Sequence, residues 1–293
     1  MRRPLVLGIV AAAALLGSYA ASRAQGPPAG PQPPLALADV KWQTWNNTGL
    51  PRLPTDLGPD GPAPRRELSG MWDPARGGIG PRGARGMPAP LTPWGEAVGK
   101  THKSGDGARM VEAPDINDPL STKGDPGGYP RQLLFELRTV QFLPTQYSIV
   151  AAFMWERRYR TIWTDGRQLP DDPDPRWYGY SVGRWADDYT FVVNANGTDE
   201  RTWLDNAGNP HSSELKVEER WHRVSEKRLE LTVTLDDPKA YTRPWVALEK
   251  LPFVKIPENV DLIEMMNSAT EAEAVAAAFR YERELERKAT EGR

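Results

Sequence analysis

The side chains whose types and spacing suit chemistry fall mainly between residues 178 and 223. His211, one of three histidines, follows Asp205 in a polar stretch from Asp199 to Ser213 built around Trp203. Imidazole titrates near neutrality, and a carboxylate that fixes its tautomer makes it a general acid or base. The pair therefore predicts isomerase, lyase or hydrolase chemistry, with His211 moving the proton, Asp205 orienting it and Arg184 stabilising developing negative charge. Asn206 to Pro210 fits an ordinary surface turn equally well. Ser212 and Ser213 come next, but neither sits on a nucleophile elbow, and adjacency to His211 does not make a triad.

Binding without chemistry is the leading expectation, and strand alternation carries it, because successive side chains of a strand point to opposite faces. In 215 to 223, Leu215, Val217, Glu219, Trp221 and Arg223 share one face, while Lys216, Glu218, Arg220 and His222 share the other. The first set reads as inward, and it puts Glu219 and Arg223 among apolar neighbours, where a charge must be paired or used. The same alternation sends Tyr178, Tyr180, Val182 and Arg184 inward. Arg184, Glu219 and Tyr180 are then polar contacts to a small, partly apolar or aromatic ligand, and Trp203 and Trp221 are stacking surface. The plainer alternative is an internal ion pair, with Arg184 neutralising Glu219. Trp177 joins Tyr178 and Tyr180 as a candidate stacking wall beside the acidic loop Asp171-Asp172-Pro173-Asp174.

No metal or cofactor is predicted. His102, His211 and His222 lack ligand spacing and the chain has no Cys. Asn194, Asn196, Asp199 and Glu200 surround a glycine but do not match a calcium loop. Gly78-x-Gly80-x-x-Gly83 has the letters of a dinucleotide fingerprint without its strand or helix, and it contains Pro81.

These residues need a scaffold, and from Tyr129 to Phe253 the sequence supplies β-branched and aromatic runs separated by turn residues. The pattern predicts antiparallel strands near 132 to 142, 146 to 155, 158 to 164, 179 to 187, 189 to 195, 214 to 224, 227 to 236 and 243 to 251. A meander of about eight strands buries one face by closing into a lipocalin-like barrel or by packing as two sheets, and the barrel is favoured. Residues 118–256 are the predicted β domain. Residues 25–117 are rich in Pro and Gly and read as an extended wrap docked through Trp42, Trp45, Trp72 and Trp94, with a short helix near Pro93 to Lys100. In 257–293, Ser268-x-x-Glu271 is a capping box that opens a helix. Its expected apolar stripe is Ala274, Ala277, Ala278, Tyr281 and Leu285, packed on the barrel or on a second copy as a homodimer.

Arg2 and Arg3 precede an uncharged apolar run from Leu5 to Leu16 and a small-x-small pattern at Ser22-Arg23-Ala24. Residues 1–24 thus read as a cleavable signal peptide, and the mature chain as exported, periplasmic or secreted. The run is too short for a retained membrane span, so no stable insertion is expected. A net charge of -2 gives no electrostatic reason to expect nucleic acid. A second alternative function is an envelope scaffold that binds proteins through the wrap and the C-terminal helix.

Four motifs occur in order: Thr164-Asp165-Gly166-Arg167; Ser181-Val182-Gly183-Arg184-Trp185; Thr202-Trp203-Leu204-Asp205 with Pro210-His211-Ser212; and Asp236-Asp237-Pro238-Lys239-Ala240-Tyr241-Thr242-Arg243-Pro244-Trp245. Together, from Pro126 to Trp245, they resemble a family of exported bacterial proteins of uncharacterised activity. The resemblance implies an exported β domain and this set of positions, with no mechanism. The chain departs from the family at Ala186-Asp187-Asp188-Tyr189, where the turn more often contains Gly-Asp-Thr.

Overall fold

The computed structural model describes residues 59–74, 89–135, 137–257, 262 and 268–291. The predicted signal peptide and the anchors Trp42 and Trp45 lie outside them. Among the described residues the strands are β1 (Gly70–Pro74), β2 (Val140–Pro144), β3 (Ser148–Phe153), β4 (Tyr159–Trp163), β5 (Tyr180–Trp185), β6 (Thr190–Asn196), β7 (Lys216–Arg223), β8 (Arg228–Asp236) and β9 (Trp245–Ile256). They pair in chain order and β9 returns to β1, so the sheet is a closed barrel.

A ring of nine strands cannot be antiparallel at every step, and the one parallel step falls between β4 and β5 at Trp163 and Val182. A parallel neighbour must be reached by a crossover. Residues 164–179 make that crossover, so the run read from sequence as a plain meander contains one long return. Gly183 sits at this junction for a steric reason: a Cβ there would lie 2.3 Å from Phe191 Cζ and 2.8 Å from Ile162 Cγ2.

Two other departures have physical causes. The predicted first strand begins instead as a helical turn, α3 (Arg131–Leu134), because all four of its residues are buried and Leu133 and Leu134 enter the core. The closing strand β1 comes from the Gly/Pro-rich segment; Gly-Met-Trp-Asp-Pro has no alternation to reveal it, yet Trp72 is fully buried. Helix α1 (Pro93–Gly99) forms where expected, with Thr92 Oγ1 capping the N–H of Gly95. Trp94 packs on the core beneath Lys239.

Helix α4 (Ala269–Glu291) opens with the capping box, Ser268 Oγ accepting the N–H of Glu271 at 3.2 Å. It contacts α2 (Pro119–Lys123) and the turn 113–115, and Arg283 pairs with Asp115 at 2.6 Å. Its packed face is Ala272, Ala276 and Phe279. The expected stripe of Ala274, Ala277, Ala278, Tyr281 and Leu285 is exposed and does not pack on the barrel. No helix among the described residues is long and apolar enough to cross a membrane.

Candidate functional site in the barrel lumen

Strand β7 alternates as its sequence requires. Val217, Glu219, Trp221 and Arg223 are buried, while Lys216, Arg220 and His222 are exposed. Arg223 is satisfied at the end of the strand: it donates to the carbonyls of Glu67, Ser225 and Glu226, and its guanidinium lies 4.6 Å from the Trp72 ring. Glu219 is different. Fully buried, it accepts a hydrogen bond from Tyr129 Oη at 2.7 Å and from Trp221 Nε1 at 2.8 Å, and it ion-pairs with Arg160 Nη2 at 2.6 Å. The Arg160 guanidinium also lies over the Tyr129 ring, 4.2 Å from its centroid.

Burial works against the charge on Arg160, but Glu219 and Tyr129 more than offset it and hold the guanidinium protonated. Burial and then the charge of Glu219 push the Tyr129 phenol well above its ordinary 10.0, so it stays a donor. The result is an ion pair inside the barrel, set in its hydrophobic core, where Trp221 packs edge-on against Phe142 at 5.0 Å and lies 5.4 Å from Phe253.

The cluster leaves donors unused. Arg160 is 4% exposed, yet its Nε and Nη1 have no hydrogen-bond partner among the described residues. Gln132, whose N–H donates to Gly128 on the turn that carries Tyr129, is fully buried with both amide atoms unpartnered. Ser181 Oγ and Trp245 Nε1 are unpartnered as well. Register places these last two on one inner row, Ser181, Ala195, Val217, Leu235 and Trp245, and Glu219 on the next row, with Gly183, Val193 and Val233. The small side chains of Ser181, Gly183 and Ala195 line β5 and β6 beside the polar groups. A buried donor without a partner costs about 1–3 kcal/mol, more when charged, and such groups mark ordered water, an ion or a ligand.

The structure divides the residues singled out from sequence. Glu219 and Trp221 are together in the lumen. Arg184 is exposed on the outer face of β5, and Tyr180 and Val182 share that face; the expectation that they point inward is overturned because Ser181 and Gly183 take the inner positions. Arg160, not Arg184, neutralises Glu219. The aromatic wall is already covered: Arg201 lies over Trp177 at 4.3 Å, Arg176 over Tyr180 at 4.0 Å, and the Tyr178 hydroxyl donates to Glu156. Trp203 is buried, stacked on His102 with centroids 4.4 Å apart.

His211 and Asp205 are both buried, but with different partners. His211 Nε2 is 2.8 Å from Thr202 Oγ1, a hydroxyl that also donates to the Asp199 carbonyl at 2.9 Å, and its Nδ1 is 3.2 Å from the Ser212 carbonyl. Burial pushes its pKa below 6.5. Asp205 accepts from the N–H groups of Ala207 and Asn209 and from Asn209 Nδ2, holding a turn in which Gly208 adopts φ +76°. The stretch 199–213 is thus a buried knot. Tyr241 Oη ties it to the next turn through the Pro210 carbonyl at 2.7 Å.

Two residues of the cluster escaped sequence reasoning. Arg160 shares a face with Ile162 by simple alternation, so the test applied to Glu219 would have found it. Tyr129 precedes a proline in an irregular stretch and carries no periodic signal. Among the described residues no group of three or more His, Asp or Glu side chains is placed to hold a metal ion. Asn194 and Asn196 lie on the outer sheet face, and Asp199 is paired with Arg201. No protein-family model, curated protein or solved structure matches the chain.

Proposed function

We propose that this is an exported β-barrel protein that holds a small molecule in its lumen. The ligand carries carbonyl or carboxylate oxygens for Arg160 and Gln132 and an apolar or aromatic part beside Trp221. Export rests on Arg2, Arg3 and the apolar run to Leu16. The observation that carries the binding reading is that the buried Arg160 guanidinium beside Glu219, and the buried Gln132 amide, have hydrogen-bonding capacity unmet among the described residues. Donors outnumber acceptors there, and Glu219 offsets the charge, so an acceptor-bearing molecule is the complement. The ligand is held and not converted in this reading, since His211 is committed to Thr202 and Ser212.

Thermal melting of the mature protein against a panel of aromatic and short-chain carboxylic acids and their amides tests the reading. At least one member raises the melting temperature of the wild type, and Gln132→Leu abolishes that shift while melting higher than wild type without ligand. A panel without effect, together with ordered water filling every free position on Arg160 and Gln132 in a high-resolution crystal structure, overturns it.

A further inference from the structure

A second site lies outside the barrel. The crossover 164–179 must return along the barrel because β4 and β5 are parallel, and between it and the outer faces of β5 to β8 there is an open groove of about 950 Å³. Asn196 Nδ2 pins the crossover to the sheet by donating to the Pro170 carbonyl at 2.8 Å. The floor is a lattice of outward side chains in register: Val182, Asn194, Glu218 and Thr234 form one transverse row, and Asn196 and Asp236 flank it. Trp163 stands at the edge of the groove with Arg167 stacked 3.6 Å from its centroid.

The chemistry of this lining selects among occupants. Its charged residues are Arg167, Arg184 and Lys216 against Asp171, Glu218 and Asp236, three of each sign, so it offers nothing to a polyanion such as nucleic acid. An added peptide strand needs a free sheet edge, whereas the groove lies over the outer face of the sheet, where β6 to β8 are paired along both sides and β5 meets β4 only at Trp163 and Val182. What remains is a row of amide and hydroxyl groups that both donate and accept, carboxylates that accept, and the Asn196 Oδ1, which is buried without a partner among the described residues. Hydroxyl groups, which donate and accept in the same way, complement it. We infer that the groove binds a neutral oligosaccharide chain laid across β5 to β8. This site is independent of the lumen.

Isothermal titration of the full mature protein with cellohexaose, chitohexaose, xylohexaose and mannohexaose tests the inference. At least one binds with Kd below about 1 mM. The double variant Asn194→Ala/Glu218→Ala, altered only on the outer face, binds it at least about tenfold more weakly, the loss expected for two hydrogen bonds. Arg287→Ala on α4 binds as the wild type does. Thermal melting of the double variant near the wild-type temperature separates lost contacts from lost folding. Absence of binding to all four sugars, or binding that survives in the double variant, overturns the inference.

Discussion

Ser212 and Asp237 meet through two hydrogen bonds, Ser212 Oγ donating to Oδ1 at 2.7 Å and the Ser212 N–H to Oδ2 at 2.6 Å. Asp237 also accepts the N–H of Ala240 at 3.0 Å, and both residues are fully buried. Two of the sequence motifs are therefore halves of one structural joint. Asp237→Ala leaves buried donors without an acceptor and is expected to lower unfolding free energy by about 3 kcal/mol. Urea denaturation checks this; a loss below about 1 kcal/mol would show that the joint is dispensable.

The second prediction concerns acid. His211 is held neutral by burial, with a folded pKa below the ordinary 6.5. Between those two values the unfolded chain binds a proton that the folded chain does not, so stability falls as pH drops below about 6.5 and levels off under the folded pKa. His102, also depressed chiefly by burial, acts in the same direction. His211→Gln is expected to flatten the dependence of unfolding free energy on pH between pH 7 and pH 5 relative to wild type. An unchanged slope would mean that His211 does not titrate on unfolding.

Breaking the lumen ion pair from one side leaves a buried charge. Arg160→Met strands Glu219 and is expected to cost about 3–5 kcal/mol. Replacing both partners, Arg160→Met with Glu219→Gln, removes both charges and recovers part of the loss. Equal destabilisation by the single and double variants would deny the coupling seen at 2.6 Å.

At the parallel junction, Gly183→Ala forces Cβ against the Phe191 ring and Ile162. Overpacking of this kind costs about 1–3 kcal/mol. A melting temperature equal to wild type would show that β4 and β5 can separate to absorb a methyl group.

Much of the fold was legible because the barrel obeys a period of two. The strands from Ser148 onward and the buried face of Val217, Glu219 and Trp221 follow directly from it, and the capping box marked the start of α4. The failures share a cause: small or isolated residues give no periodic signal. Ser181 and Gly183 take the inner face of β5, at Gly183 because Phe191 and Ile162 fill the space beside it, and alternation alone favours the larger Tyr180, Val182 and Arg184 for that face. Strand β1 is too short to alternate, and closure through it depends on long-range pairing with β2 and β9. For the site, Glu219 and Trp221 were visible, whereas Tyr129 reaches them only through an irregular turn. Closeness in sequence suggests Asp205 and His211 as a chemical pair, but the loop between them folds into a turn that gives each its own partners.

The most direct measurement is native mass spectrometry of the mature protein purified from its own host, followed by denaturing release of anything bound. A stoichiometric small molecule bearing carbonyl or carboxylate oxygens is expected, retained by wild type and absent from Gln132→Leu. A mass equal to the bare chain in both proteins would contradict it.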